Sequence, residues 1–457
     1  MKRRDFLTNS ALIGAALPLG VAPTVLSSCS GSSGKGSSSS SKQYTPDELG
    51  MYSFAEIAPD GKPLKAALVG CGDRGTGAAV NFLSAGPNIS IVALVDLFPD
   101  RMATCRKTLI EKSNNDVPDS KCFYGFDAYK KVMEMPDVDL VLLCTPTHFR
   151  PEQFKAAIEA GKHVFMEKPC AVDPVGIRTV IASAKIAQTK GLTVVTGNQR
   201  RHRRDYWEAF VQVRNGIIGD IISGSAHWNQ GASWNKYKRP EWSDMEYCIR
   251  NWFNIKWLSG DHILDQAIHN IDITTWFLGT RPAKATGFGG RARRLTGDIF
   301  DFFSVDYVYA DEKRMLATAR QIDECDGNVS EQVYGSKGVA LLNDNGNNIK
   351  IQDYNGNILW KYDYDAKPVN NPYQQEHIHL IESIRLNKKI NQAEDLAYST
   401  QIAIMGREAA YTGKPITWDE IMASNLRYGP EKYEMGALPD YHEGKVSVPG
   451  RESSPAI

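Results

Sequence analysis

Five stretches in the first half of the chain, 65–69, 89–95, 138–144, 163–166 and 193–196, are apolar almost without interruption. Short continuous apolar runs are the mark of strands buried on both faces of a sheet. Between them lie segments with helical spacing: Ala78, Ala79, Val80, Phe82 and Leu83, then residues 100–112, 129–135, 151–160 (stopped by Gly161) and 175–190. Strand and helix therefore alternate, which predicts a doubly wound parallel sheet over residues 64–199. After about residue 200 the pattern switches to strict alternation, in 221–228, 302–309 and 315–321, with turns at Asn345-Gly346 and Asn355-Gly356. Alternation reads as a largely antiparallel sheet with one face covered, so residues 200–371 are expected to form an α+β domain. Residues 375–385 and 393–411 read as amphipathic helices in a segment, 372–420, that packs back on the first domain, and 421–457 reads as a tail.

The first strand–helix junction is Gly70-Cys71-Gly72-Asp73-Arg74-Gly75, and the second strand closes on Asp96, 21 residues past the third glycine. Three glycines at this spacing mean little alone; set between a strand and a helix they read as a dinucleotide-binding turn. Gly70 permits the tight turn, Gly72 lets backbone N–H groups approach a pyrophosphate, and Gly75 allows close strand–helix packing. The helix N-terminus adds unpaired N–H groups and a favourable dipole. Asp96 is placed to take the adenosine ribose hydroxyls, and its charge would repel a 2′-phosphate, so NAD is favoured over NADP.

The 53 basic and 53 acidic residues balance, and no basic stretch is interleaved with aromatics, which argues against nucleic acid as a partner. The eight cysteines contain no Cys-x-x-Cys pair, so neither a zinc knuckle nor a redox dithiol is indicated. The N-terminus is an address: Lys2-Arg3-Arg4-Asp5-Phe6-Leu7 has the form of a twin-arginine export signal, followed by an apolar segment over 11–26. Leu26-Ser27-Ser28-Cys29 resembles a lipobox, with Cys29 as the lipidated residue, and 31–42 is a Ser/Gly tether. Residues 1–43 are thus expected to serve export and tethering on the periplasmic side, and 44–63, with Pro46, Pro59 and Pro63, to form an irregular arm. Twin-arginine export carries folded proteins, and no free nicotinamide pool is expected outside the inner membrane; a tightly retained cofactor follows as an expectation.

Chemistry-bearing residues fall at strand ends. Thr145-Pro146-Thr147-His148 follows the 138–144 run; His148 reads either as a hydrogen bonder on the cofactor side or as polar loop. Glu167-Lys168-Pro169 follows the next strand, and Gly197-Asn198-Gln199 the last. Residues 260–272 read as one helix carrying Asp265 and His269 four apart on one face. A histidine with a carboxylate one turn away suits a general base, and a nearby ammonium suits orienting a substrate hydroxyl. The same pair suits zinc, but no third ligand stands at metal-like spacing. Trp228, Trp234, Trp242 and Trp252, with Asn229, Lys236, Arg239 and Arg250, suggest a carbohydrate substrate by ring stacking and polar contacts; core packing or a subunit contact is the alternative for each.

The combination resembles the Gfo/Idh/MocA oxidoreductase family, through Gly70 to Gly75, Cys144-Thr145-Pro146, Gly161-Lys162-His163-Val164 leading to Glu167-Lys168-Pro169, and Asp265-x-x-x-His269. Glu376-His377, Ile381-Glu382-Ser383-Ile384 and residues 403–415 extend the likeness over about 64–420. The resemblance implies catalytic Lys168 and His269 with Asp265 in support. It implies a cofactor set of Gly70, Gly72, Asp73, Arg74, Gly75, Asp96, Thr145, Pro146, His148, Glu167, Lys168 and Asn198. Trp228, Arg250, Trp252, Asp265 and His269 are the substrate side. The function it implies is oxidation of a sugar ring hydroxyl by an NAD-retaining enzyme, as a homodimer or tetramer. A redox-neutral NAD-dependent glycosidase is the alternative, disfavoured because the related N-acetylgalactosaminidases generally depart from the Glu-Lys-Pro and Asp-x-x-x-His elements. A non-catalytic carbohydrate-binding protein is the third reading.

Overall fold

The computed structural model describes residues 43–343 and 348–450. The expected export signal, Cys29 lipobox and tether, and the Asn345-Gly346 turn, lie outside the described residues.

The first half folds into a six-stranded parallel sheet: β1 (Leu64–Val69), β2 (Ile89–Asp96), β3 (Cys122–Tyr124), β4 (Leu140–Leu143), β5 (His163–Met166) and β6 (Val194–Thr196). Their order is β3-β2-β1-β4-β5-β6, so the winding direction reverses between β1 and β4. That reversal opens a crevice at the carboxyl ends of the central strands, where ligands of such sheets bind. Every residue of β4 is buried, as its unbroken apolar run requires, whereas the edge strand β3 is half-exposed and carries no such run.

The second sheet has nine strands in the order β14-β13-β12-β11-β7-β10-β9-β8-β15. They are β7 (Ile221–Gln230), β8 (Pro282–Gly290), β9 (Phe302–Tyr309), β10 (Arg314–Gln321), β11 (Asn328–Gly335), β12 (Gly338–Leu342), β13 (Lys350–Asp353), β14 (Ile358–Lys361) and β15 (Ile416–Thr417). Neighbours pair antiparallel except β7 with β10. In β9, Phe303, Val305, Tyr307 and Tyr309 point inward and alternate with half-exposed residues, the period-2 pattern of a sheet covered on one face.

Two helices join the halves. In Pro372–Arg385, Ile378, Leu380 and Ile381 share a core with Phe82 of the helix Asp73–Leu83. Ala393–Thr412 departs from the amphipathic expectation: it is buried almost all round, because it runs between the helix Pro174–Thr189 and strands β8 and β9. The arm is pinned at Tyr52 and Ser53, with the Ser53 carbonyl 2.7 Å from His379 Nε2 and the Tyr52 ring stacked on His202. The tail wraps the surface through Tyr428 and Tyr433.

Residues 260–272 are not one helix but two short ones, His262–Asp265 and Ile268–Leu278. In a continuous helix the Asp265 carbonyl would accept from the His269 N–H. Here it accepts from Lys168 Nζ instead, and the His269 N–H turns to the Gln266 carbonyl at 3.2 Å. A side chain from the first half thus takes a carbonyl at the point where the two helices part.

Candidate functional site

A cavity of about 920 Å³ opens at the β1/β4 crevice. Gly70 sits at φ +99°, and a Cβ there would fall 2.7 Å from the Cys144 carbonyl carbon; a Cβ on Gly75 would fall 1.9 Å from the Gly70 oxygen. Gly72 differs: nothing lies within 4 Å of its would-be Cβ. Two glycines therefore pack the turn against the sheet while the middle one leaves open space where backbone N–H groups face the groove. Asp96 Oδ2 accepts from the Cys71 N–H at 2.7 Å and Oδ1 from the Phe98 N–H at 2.9 Å, so the carboxylate braces the turn from the groove wall. Asp73, Arg74, Thr145 and Pro146 also line the cavity, and Thr145 Oγ1 donates to Gln153 Oε1 at 2.7 Å. This shape and donor set fit a dinucleotide, which Gly72 would hold at the pyrophosphate and Asp96 at a ribose.

Arg250 and Trp252 lie in this groove rather than beside Lys168 and His269. The Arg250 guanidinium makes two 3.0 Å bonds to Asp100 and lies 3.9 Å from the Phe98 ring centre. It ties the second half to the wall that carries Asp96. His148 does not line the groove; its Nε2 is 2.7 Å from the Tyr433 hydroxyl, its ring packs edge-on against Trp257, and burial pushes its pKa down to about 3.

The other predicted residues gather at the ends of β5 and β6. Lys168 Nζ donates to the Asp265 carbonyl and lies 3.9 Å from Asp265 Oδ2. Asp265 takes its remaining bond from Gln266 Nε2 at 2.9 Å, so the helix break turns it toward the ammonium, not toward the imidazole. His269 packs on the Trp228 ring at 5.5 Å, and Arg200 covers Trp228 at 5.5 Å while pairing with buried Glu331. Burial, then the charges of Lys168, Arg200 and Arg74, hold His269 well below the usual histidine pKa, so its imidazole is neutral. Burial also lowers the pKa of Lys168, opposed by Asp265 and Glu167. Buried polar atoms without partners here include Asn198 Oδ1, Gln199 Oε1 and Trp228 Nε1.

Glu167 is held by Arg74, whose Nη2 also donates to Glu376 Oε1 at 2.7 Å across 302 residues of chain. Burial first, with Glu167 adding, raises Glu376 well above the usual carboxylate range. A Cβ on Gly197 would meet Glu167 Oε2 at 2.6 Å, so only glycine leaves room for that carboxylate. Arg200 and Tyr373, which complete this wall, were missed from sequence. The only trace of Arg200 is a basic run, residues 200–204, directly after β6. Among the described residues no cluster of three His, Cys, Asp or Glu is placed to hold a metal, and no helix is long and apolar enough to cross a membrane.

Comparison with known proteins agrees with this layout. Residues 64–197 match the oxidoreductase family with an NAD-binding Rossmann fold, and 206–341 match the GFO/IDH/MocA C-terminal domain. Glycosyl hydrolase family 109 protein 2 of Shewanella sp. strain ANA-3 is 27% identical over 235 residues, 51% of this chain and 47% of that protein. Myo-inositol 2-dehydrogenase of Thermotoga maritima is 28% identical over 217 residues, 47% of this chain and 55% of that protein. The chain spans about half the length of these curated relatives. In three dimensions it resembles an aldose-aldose oxidoreductase of Caulobacter crescentus, with a TM-score of 0.61 at 20% identity over 78% of this chain and 99% of that one. A levoglucosan dehydrogenase gives a TM-score of 0.61 at 16% identity over the same shares. With both halves of the family pattern matched in order, and the glycine turn leading a parallel sheet into a mostly antiparallel one, the chain belongs to the GFO/IDH/MocA family of oxidoreductases.

Proposed function

We propose that this protein is an exported, NAD-retaining oxidoreductase that oxidises a ring hydroxyl of a sugar or glycoside. The observation that carries the reading is the Lys168 ammonium, held by the Asp265 carbonyl and 3.9 Å from its carboxylate, in a fold whose glycine turn, Asp96 and Thr145-Pro146 line a groove that fits a dinucleotide. The bound nicotinamide supplies the hydride acceptor. Lys168, fixed by Asp265, donates to the substrate hydroxyl oxygen and stabilises charge developing there. His269 Nδ1 or Nε2 takes the hydroxyl proton as the C–H bond is broken. Trp228, packed on His269, offers an apolar wall to the ring and an unpartnered N–H to a hydroxyl. Asp96 on the ribose side favours NAD, and export of the folded, loaded protein accounts for retention.

A redox-neutral NAD-dependent glycosidase is the second reading, supported by the relatives described as glycosyl hydrolase family 109 proteins. One experiment separates the two. The cofactor-loaded protein is incubated with sugars and aryl glycosides while nicotinamide reduction and aglycone release are followed together. Reduction without release is expected, and substituting Lys168→Met or His269→Asn should cut it about 100-fold or more. Release without net reduction would replace this reading with the glycosidase.

A further inference from the structure

At the rim of the site Tyr373 presents 42% of its surface to solvent. It stands in the first turn of the helix Pro372–Arg385, where the Asn371 side chain accepts from its N–H at 3.1 Å. Its hydroxyl accepts from Gln199 Nε2 at 3.3 Å, and the Arg74 guanidinium lies over the ring, 4.9 Å from its centre, so the ring is fixed at its tip and covered on one face. Gln199 is only 7% exposed, yet its Oε1 has no hydrogen-bond partner. A buried amide oxygen left unpaired beside an exposed ring marks a place where a hydroxyl donor is wanted.

The chain ties this corner to the chemistry. Gln199 stands between Asn198 and Arg200, and Arg200 covers the Trp228 ring on which His269 packs. Arg74 bonds Glu167, the residue before Lys168. Lys168 and His269 are themselves nearly enclosed, with 13% of the Lys168 side chain and 8% of His269 exposed. A ring reacting over them lies deep, whereas Tyr373 is open to solvent.

The geometry points to Tyr373 and Gln199 as an outer sugar-binding subsite that holds the non-reacting ring of a disaccharide or glycoside. Pyranose C–H surfaces pack on the ring face that Arg74 leaves open, and a ring hydroxyl donates to Gln199 Oε1. The inference rests on the reading of the protein as acting on sugars or glycosides, and names the residues that hold the second ring.

The test uses the full chain with its dinucleotide bound. Calorimetry measures binding of cellobiose, maltose and lactose, with glucose and galactose as single-ring controls, alongside turnover of each. The expected result is that at least one disaccharide binds more tightly than its component sugars. Substituting Tyr373→Ala should then lower the ratio of disaccharide to monosaccharide affinity about tenfold. Tyr373→Phe keeps the ring and frees Gln199 Nε2, so it should lower the ratio less. A ratio unmoved by both substitutions, or no disaccharide bound better than its parts, overturns the subsite. Binding with the expected ratio but no oxidation of any sugar upholds the subsite and removes the oxidoreductase reading instead.

Discussion

Removing the Arg74 guanidinium, as Arg74→Met, leaves Glu167 and Glu376 facing one another with side chains 3% and 0% exposed and no cation between them. Breaking a buried ion pair by deleting one partner costs about 3–5 kcal/mol. The Arg74 side chain is 36% exposed, so water screens its end of the network and the lower figure, about 3 kcal/mol, applies at pH 8. Glu376 already has a raised pKa, and losing the cation raises it further, so the folded variant takes up a proton that the unfolded chain binds only near pH 4.3. Between those two values the folded state holds more protons, and stability falls as pH rises, by about 1.4 kcal/mol per unit. The parent's Glu376 titrates in the same sense from its own raised pKa, so the deficit of about 3 kcal/mol at high pH should shrink on acidification only through the window between the two folded-state pKa values. Replacing the second carboxylate as well, Arg74→Met with Glu376→Gln, should recover most of the loss at pH 8. Urea unfolding of parent, single and double variants at pH 8 and at stepped lower pH, at equal dinucleotide occupancy, measures the deficit. A deficit equal at every pH and untouched by Glu376→Gln would show that Arg74 matters for packing, and the charge argument would fall.

Two further outcomes are expected. Asp96→Ala deletes the carboxylate on the ribose wall and also frees the Cys71 N–H; NAD affinity should drop about 10- to 100-fold, read by fluorescence titration, and an unchanged affinity would place the ribose elsewhere. Burial holds His148 at about 3 and His163 and His379 at about 4, against about 6.5 when unfolded. The unfolded chain thus binds the extra protons below pH 6.5, and stability should fall on acidification from there toward pH 4, by about 1.4 kcal/mol per pH unit for each histidine; a flat denaturation midpoint over that range would contradict their burial as neutral rings.

The order of strands and helices through residue 200, the change of sheet type after it, and the glycine turn with its acid are local patterns, and local patterns are written along the chain. Continuous apolar runs made β1, β2 and β4 legible, and alternation did the same for β9 and β10. The edge strand β3 carries no such signal, because a strand half-open to water needs no apolar run. Lys168, Asp265 and His269 were legible as residues, but their relation was not. Spacing put Asp265 beneath His269; in the fold its carbonyl and carboxylate face the Lys168 ammonium at the break between two helices. His148 likewise meets the tail's Tyr433, and Arg250 meets Asp100 across 150 residues. Such contacts depend on which long side chain arrives at an unpaired group once two sheets have packed, and separation along the chain carries no record of that.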